Sequence, residues 1–327
     1  MKPPHRRQFL HLAAGVIALP ATSRVARAQT YPSRPVTMIT PFAVGGSTDV
    51  IARVVTEYMR GSLKQPIIIE NITGADGSVG VGRAVRAAPD GYTISIGHAA
   101  THVLNGALYS LQYDLLNDFA PISLLATAPL ILFGRKTMPA KDLRELIVWL
   151  KINPNKASAG YGAAGSHLLA AFFRRETGTQ FTLVPYRGGA PAMQDLVAGQ
   201  IDLQFNTPDQ LALVRTGINK VYAVTSETRT AFAADIPTFR EVGLTALSYS
   251  QWTGLFAPKG TPREIINKLN AAAVETLAHP AVRSRLLEMG QEIFPRDQQT
   301  PEALRALQRA EIDKWWPIIK EFGIKAE

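Results

Sequence analysis

The chain has 327 residues, of which 46% are hydrophobic and 19% are charged. This composition is typical of a globular protein with one large or two medium domains, and it excludes disordered and fibrous classes. The sequence contains no cysteine, which excludes a disulfide scaffold, thiolate metal sites and a cysteine nucleophile.

The formal net charge of +9 arises from 35 Lys and Arg residues against 26 Asp and Glu residues. The first 28 residues carry five of the basic side chains and no acid, so the rest of the chain carries +4. A charge of this size over ~300 residues favours attraction of small anions over binding to a nucleic-acid duplex. We therefore expect no nucleic-acid partner.

Residues 1–28 have the layout of an export signal. Arg6 and Arg7 precede a short apolar run, Phe9–Leu19, and the segment ends in a small-x-small pattern from Ala26 to Ala28. The apolar run is about half as long as a bilayer-spanning helix requires. The arginine pair and the Gln-Phe-Leu that follows it favour twin-arginine export, with an ordinary Sec signal as the alternative. The sequence predicts cleavage after Ala28 and a periplasmic location.

From residue 36 onward, short β-branched runs alternate with amphipathic helical patterns, which predicts an α/β fold with mostly parallel sheets. Strands are predicted at 36–39, 67–69, 92–96, 130–133, 156–161, 181–185, 201–205, 221–225 and 255–257. Helices are predicted at 47–61, 142–150, 166–177 and 191–198, and over the last ~65 residues.

Local signals mark several helix ends. Ser47 or Thr48 is expected to cap the first helix. Thr261 is expected to cap a later helix, with Pro262 at its first helical position. Pro317 is expected to kink or divide the final helix.

The strand–helix pattern restarts after Pro129 and changes again near residue 250, which predicts two α/β lobes. We expect lobe 1 to contain residues 29–127 and 253–327, and lobe 2 to contain residues 128–252. The cleft between two such lobes is the expected ligand site.

Two histidine-containing pairs are candidate chemical sites. His98 and His102 have the i, i+4 spacing of a helical metal pair, but no third ligand lies nearby in sequence, so a structural pair is favoured. Ser166 and His167 suggest a hydrolase, but G-x-S-x-G is absent and adjacent side chains point apart. We therefore expect no metal site and no catalytic centre.

Gly74, Gly77, Gly80 and Gly82 form a glycine-rich stretch. Val85 occupies the position of the third glycine in G-x-G-x-x-G, and the P-loop motif is absent. The sequence therefore predicts no nucleotide cofactor, and we expect these glycines to let backbone approach backbone.

The most informative feature is a pair of small-residue turns, each opening a helix. The first turn is 41–49 and the second is 160–167, one in each expected lobe. Helix N-termini offer free N–H groups and a partial positive charge, so two facing turns could hold both ends of a dicarboxylate. Glycine-rich turns are also common in any parallel sheet, so the alternative is that both turns are ordinary strand–helix connections without a ligand.

These turns and several other motifs give the chain a resemblance to the Bug (TctC-type) periplasmic solute receptors of tripartite tricarboxylate transporters. The resemblance runs in order along nearly the whole mature chain. Its residues are Tyr31-Pro32-Ser33-Arg34-Pro35, Pro41-Phe42 with Gly45-Gly46-Ser47-Thr48-Asp49, Ala88-Pro89-Asp90-Gly91-Tyr92-Thr93, Ser166-His167-Leu168, Val184-Pro185-Tyr186-Arg187-Gly188-Gly189-Ala190-Pro191-Ala192, Gly199-Gln200-Ile201-Asp202, Pro237-Thr238-Phe239 and Gly254-Leu255-Phe256-Ala257-Pro258-Lys259-Gly260-Thr261-Pro262.

The resemblance implies a two-lobed, type II Venus-flytrap binding protein rather than an enzyme. Its implied partners are a small organic carboxylate and the membrane subunits of a tripartite tricarboxylate transporter, and no cofactor is implied. The runner-up function is a secreted hydrolase that uses Ser166 and His167, or Asp49 and Asp202. The implied ligand-binding residues are Phe42, Gly45, Gly46, Ser47, Thr48, Asp49, Ala164, Ser166, His167, Gly188, Ala190 and Asp202.

Two departures from the family pattern concern the second lobe. Asn206 stands where relatives often have Asp, and the 160–165 turn is richer in Gly and Ala than usual. Both changes leave open whether the ligand is a dicarboxylate or a larger aromatic or amphiphilic acid.

One sharper expectation concerns how the carboxylate is held. The first turn has no basic side chain, so we expect backbone N–H groups from Gly45 to Thr48 to hold it. Arg53 lies one helical turn later and is expected at the surface. Gly46→Val is expected to abolish binding, because a branched side chain blocks the approach and could forbid the backbone conformation.

Overall fold

The computed structural model of the protein describes residues 30–321 and 323, so the expected export signal and its cleavage point lie outside the described residues. The strands are β1 (Val36–Thr40), β2 (Ile67–Asn71), β3 (Thr93–His98), β4 (Phe119–Pro129), β5 (Ile131–Arg135), β6 (Ser158–Tyr161), β7 (Thr182–Pro185), β8 (Leu203–Asn206), β9 (Asn219–Val224), β10 (Ser250–Pro258) and β11 (Glu292–Ile293). The α-helices are α1 (Ser47–Leu63), α2 (Ser78–Val85), α3 (Asn105–Leu108), α4 (Leu143–Ile152), α5 (Ala164–Thr177), α6 (Gly189–Val197), α7 (Leu211–Arg215), α8 (Arg263–Ala278), α9 (Pro280–Glu288) and α10 (Pro301–Glu321).

The strands form two sheets, which confirms the predicted two-lobed α/β fold. The first has the order β11-β4-β10-β3-β1-β2 and the second has the order β7-β6-β8-β5-β9. β1 pairs in parallel with β2 and β3, and β6 pairs in parallel with β7 and β8. β10 is antiparallel to β3 and β4, and β5 is antiparallel to β8 and β9. The sheets are therefore mixed, and the expected mostly parallel pairing was wrong.

The antiparallel pairs arise where the chain passes from one sheet to the other. β4 leads directly into β5, and the return segment leads into β10, which pairs with β4. Thr225 ties the two passages together: its Oγ1 accepts from Leu130 N (2.8 Å) and donates to Tyr249 O (2.6 Å). The two crossing segments are thus held side by side between the lobes.

The longest strand, β4, was not predicted. Its sequence FAPISLLATAP has no polar–apolar alternation and carries Pro121, which argues against a strand on sequence alone. It is buried along most of its length because α10 and α8 pack against it. A strand covered in this way has no polar face for a pattern to reveal.

Several helix ends differ from expectation. α1 begins after Gly46, with no side-chain cap, so neither Ser47 nor Thr48 caps it. α8 begins after Pro262, because the Thr261 hydroxyl donates to Pro258 O (2.8 Å) instead of capping the helix.

The C-terminal region is also less simple than expected. α10 continues through Pro317 to Glu321, so the proline does not divide the helix. The short strand β11 pairs with β4 and interrupts the expected all-helical C-terminal region.

Helices flank both sheets and bury the apolar faces. Ile51, Val55 and Met59 of α1 pack in one buried cluster with residues of β1, β3, α8 and α9. Trp315 of α10 reaches Phe172 of α5, with ring centroids 6.1 Å apart. The final helix therefore contacts α5, the helix that follows the second lobe's turn. No helix in the described part of the chain combines the length and apolarity needed to cross a membrane.

The glycine-rich stretch brings two backbones together, as expected. A Cβ at Gly80 would lie 2.5 Å from Ile72 O and 3.0 Å from Pro41 Cα. Only glycine fits so close to backbone atoms, and the contact supports the start of the first turn.

Candidate binding site

A cavity of about 70 Å³ lies between the two sheets, at the carboxyl ends of β1, β3, β6 and β8. Its volume suits a compact molecule. A second cavity of about 490 Å³ shares Phe42, Gly162 and Pro191 with it. The first cavity is lined by Phe42, Ala43, Gly46, Ser47, Thr48, His98, Leu130, Gly162, Ala163, Ser166, Gly188, Gly189, Ala190, Pro191, Phe205, Asn206, Thr207, Gln210 and Gln251.

The first turn is fixed by Asp49, which is almost fully buried (1% exposed). Its carboxylate accepts from Gly45 N (2.9 Å), from Asn71 Nδ2 (2.9 Å) and from two nitrogens of Arg53 (2.9 and 3.1 Å). Burial raises the pKa of Asp49, but the hydrogen bonds from Arg53, Gly45 and Asn71 outweigh it and leave the pKa below its usual value. Asp49 therefore stays ionised and holds the turn in shape.

Gly45 and Asp49 thus support the cavity without lining it. Gly45 has a φ of 81°, which glycine adopts readily, and its N–H is used by Asp49. Arg53 is half exposed and its guanidinium is engaged by Asp49, so it stands outside the cavity, as expected. Gly46, however, has an ordinary φ of −72°, so the suggestion that a side chain there forbids the conformation was wrong.

The amide groups that face the cavity come from the next residues. The N–H of Val50 is the first in α1 that bonds within the helix, to Gly46 O (3.0 Å). The preceding N–H groups of Ser47, Thr48 and Asp49 have no helical acceptor. Ser47 and Thr48 line the cavity, and Oγ of Ser47 is buried without a hydrogen-bond partner. This end of α1 is therefore a set of unused donors beside a cavity.

On the opposite wall, two turns meet at very short range. A Cβ at Gly162 would lie 2.1 Å from Gly188 C and 2.6 Å from Gly189 N. This contact brings the N-termini of α5 and α6 to the same cavity. Gly188 and Ala190 were expected among the ligand-binding residues. Gly162 was expected only as part of the second turn, and Gly189 was not singled out, because their contact joins segments distant in sequence.

Ser166 lines the cavity, but its hydroxyl is bonded to its own turn. It donates to Ala163 O (2.8 Å) and accepts from Gly162 N (3.2 Å) and Ala163 N (3.3 Å). The ring of His167 stacks on Tyr161, with centroids 4.3 Å apart. Ala164 is fully buried, and neither it nor His167 is among the cavity-lining residues. Ser166 thus shapes the helix start and is not arranged as a nucleophile.

Asp202 was wrongly expected at the site. Its carboxylate bonds Arg135 Nε (2.5 Å) and Ser158 N (2.8 Å). Asp202 precedes β8 and Ser158 begins β6, so both lie at the strand ends opposite to the cavity. The Gly199-Gln200-Ile201-Asp202 motif does not reveal at which end of the sheet Asp202 lies.

The structure adds polar residues that were not expected at the site, among them His98, Gln210 and Gln251, and it places Asn206, which was expected to bear on the choice of ligand, in the same lining. His98 and Asn206 are the last residues of β3 and β8. Ligands of α/β sheets bind at the carboxyl ends of strands, so this position was the available signal. Both polar atoms of the Asn206 side chain are bonded to backbone groups, because Nδ2 donates to Gly189 O (3.2 Å) and Oδ1 accepts from Thr207 N (2.9 Å).

The two histidines of the i, i+4 pair occupy different surroundings. His98 stacks on Phe42 at 4.7 Å, and His102 stacks on Phe256 at 3.9 Å. Burial lowers the pKa of both to about 3. No group of three His, Asp or Glu side chains within residues 30–321 is placed to hold a metal ion.

Comparison with known proteins gives the family. Residues 51–324 match the family described as the tripartite tricarboxylate transporter family receptor, TctC. The chain belongs to this family. It is 33% identical to BugT of Bordetella pertussis over 322 residues, covering 97% of this chain and 96% of BugT.

Two solved structures share the fold. The periplasmic binding protein BugD superposes with a TM-score of 0.87 at 34% identity, covering 91% of this chain and all (100%) of BugD. MatC from Rhodopseudomonas palustris, solved with bound malate, superposes with a TM-score of 0.85 at 38% identity, covering 88% of this chain and 100% of MatC. This chain is therefore a solute receptor of the TctC family with a periplasmic-binding-protein fold.

Proposed function

We propose that the chain captures a small organic carboxylate in the cavity between its two sheets and delivers it to the membrane subunits of a tripartite tricarboxylate transporter. The two lobes would be residues 29–127 with 253–327, and residues 128–252. The residues expected from the sequence that line the cavity are Phe42, Gly46, Ser47, Thr48, Ser166, Gly188 and Ala190.

One observation carries this proposal: the N-termini of α1, α5 and α6 converge on one cavity whose lining includes no Asp, Glu, Lys or Arg. Each helix start contributes unused N–H donors and a partial positive charge. Together they favour an anion over a neutral or cationic ligand. The malate in MatC is consistent with such a ligand.

The carboxylate itself is expected at the N-terminus of α1. Of the backbone N–H groups expected to hold it, those of Ser47 and Thr48 are available, because the N–H of Gly45 already donates to the Asp49 carboxylate. The engagement of Arg53 by Asp49 supports capture without a guanidinium clamp.

A non-enzymatic role is favoured over the hydrolase alternative. The Ser166 hydroxyl is directed to the backbone of its turn, Asp49 is held by Gly45, Asn71 and Arg53, and Asp202 lies away from the cavity. None of these side chains is paired as nucleophile and base facing the cavity.

A thermal-shift screen of carboxylates separates the two functions. A ligand at 100 times its dissociation constant stabilises a receptor by about 2.7 kcal/mol. We expect such a shift from at least one compact carboxylate, with the acid recovered intact by mass spectrometry. Turnover of an ester or amide that depends on Ser166, without any stabilising carboxylate, would contradict the receptor function.

We further propose export followed by cleavage after Ala28. Intact mass of periplasmic protein is expected to correspond to a chain that begins at Gln29. Replacement of Arg6-Arg7 by Lys-Lys is expected to block export by the twin-arginine route. Normal export of that variant would assign the signal to the Sec route.

A further inference from the structure

His98 is a buried polar side chain in the cavity wall that the proposed function does not use. It ends β3, which lies next to β1, the strand that leads into the first turn. Only 2% of the residue is exposed, and its ring stacks nearly parallel (16°) on Phe42. His98 therefore stands beside the N-terminus of α1 in a fixed orientation.

The hydrogen-bonding capacity of this ring is unmet. Within the described chain, Nδ1 of His98 is buried without a hydrogen-bond partner. Buried polar groups in folded proteins are nearly always paired, and each unpaired group costs about 1–3 kcal/mol. Ser47 Oγ, on the same wall, is also unpartnered. These unmet groups line the cavity and point to a ligand that completes them.

The protonation state of His98 limits what it can recognise. Burial lowers its pKa to about 3, so the imidazole is neutral at ordinary pH. No acidic or basic side chain lines the cavity with it. A neutral imidazole has one N–H donor and one acceptor, and it forms hydrogen bonds rather than ion pairs.

We propose that His98 is a specificity-determining residue whose Nε2–H donates to a hydroxyl or keto oxygen of the ligand, beside the carboxylate at the N-terminus of α1. This inference rests on the proposed function, because it assumes that a carboxylate occupies the cavity. The preferred ligands are then hydroxy- or keto-carboxylates. Their unsubstituted analogues leave His98 unpaired and are rejected by about tenfold or more.

The test is calorimetry on matched pairs of acids with the mature protein. The pairs are malate and succinate, 2-hydroxyglutarate and glutarate, and lactate and propionate. Within the pair that binds most tightly, we expect the hydroxy acid to bind about tenfold or more tightly than its analogue. Equal affinity within that pair overturns the role of His98 while leaving the receptor function intact. If no carboxylate binds at all, the proposed function fails, and this inference fails with it.

Variants assign the discrimination to the residue. His98→Phe keeps a ring against Phe42 and removes both nitrogens, so the affinity ratio within the pair is expected to fall to about one. His98→Gln restores an uncharged donor and is expected to recover part of the ratio. The matched control is His102→Phe, because His102 is an equally buried, stacked histidine that does not line the cavity.

The control is expected to keep the wild-type ratio, with folding of each variant checked by circular dichroism. An unchanged ratio in His98→Phe overturns the proposal. If His98→Phe does not fold, the wild-type ratio and the His98→Gln ratio still test the proposal. A full wild-type preference in His98→Gln would show that His98 does not discriminate between the two acids, unless the glutamine itself bonds the ligand's hydroxyl or keto oxygen. A crystal structure of that complex shows whether it does.

Discussion

Polar side chains on the two walls of the cavity differ in whether they are already paired. On the wall next to the six-stranded sheet, Ser47 Oγ and His98 Nδ1 are buried without hydrogen-bond partners. On the opposite wall, Ser166 is bonded to Ala163 O of its own turn, and Asn206 is bonded to Gly189 O and Thr207 N. Unpaired buried groups are costly unless a ligand completes them. We infer that the first wall provides most of the recognition and the second wall provides shape and N–H donors.

Gly46→Val is the substitution with the largest expected effect on the first wall. A Cβ there would be 3.4 Å from Ala43 O, so the chain accommodates it, but the branches extend where the ligand carboxylate would lie. We expect at least a thousandfold loss of affinity, or about 4 kcal/mol. Calorimetry measures the loss, and Gly61→Val is the control because Gly61 has no atom within 4 Å of an added Cβ. Wild-type affinity in Gly46→Val would place the ligand elsewhere.

The pH dependence of stability compares the cavity wall with the core, because each contains one buried histidine that is neutral at ordinary pH. The pKa of His98 and of His102 is lowered from 6.5 to about 3 by burial, with His98 and Arg305 adding to the effect on His102. Between these values the unfolded chain binds more protons than the folded chain. The stabilising contribution is therefore complete above pH 6.5 and is lost as the pH falls toward 3.

At pH 5 the expected loss of unfolding free energy relative to pH 7 is about 2 kcal/mol per histidine. Urea unfolding at the two pH values measures it. His98→Phe is expected to remove about half of the pH-dependent loss. A variant with undiminished acid sensitivity would show that His98 titrates normally in the folded protein.

The support beneath the first wall is expected to give smaller effects. Asp49→Ala leaves the N–H of Gly45 without its acceptor and Arg53 without its partner, so we expect a loss of about 1–3 kcal/mol in unfolding free energy and weaker binding. Arg53→Ala removes only a half-exposed ion pair and is expected to cost less than about 1 kcal/mol. Chemical unfolding tests the order of the stability losses, and calorimetry tests the order of the affinity losses. A larger loss of affinity in Arg53→Ala than in Asp49→Ala would mean that Arg53 contacts the ligand.

The first turn could be predicted because its signal is local. Two glycines, Ser47, Thr48 and Asp49 follow a β-branched strand and precede a helical pattern, so residues adjacent in sequence supply the donors. The fold class could be predicted for the same reason, from strand and helix patterns along the chain.

The remaining site residues depend on contacts between distant segments. Gly162 is in the wall because it packs on Gly188, and His98 is there because β3 lies beside β1. Asp202 failed for the opposite reason, because its strand brings it to the wrong edge of the sheet. Strand β4 was missed because a strand buried on both faces has no alternating pattern.

The central claim is that the backbone at the start of α1 holds the ligand's carboxylate. A crystal structure of the mature protein with the carboxylate that gives the largest thermal shift tests it most directly. We expect the carboxylate oxygens within hydrogen-bond distance, about 2.7–3.2 Å, of the backbone nitrogens of Ser47 and Thr48, with Arg53 still on Asp49. A carboxylate paired with an arginine or lysine side chain, or seated in the adjoining cavity beside Arg187, would contradict the account.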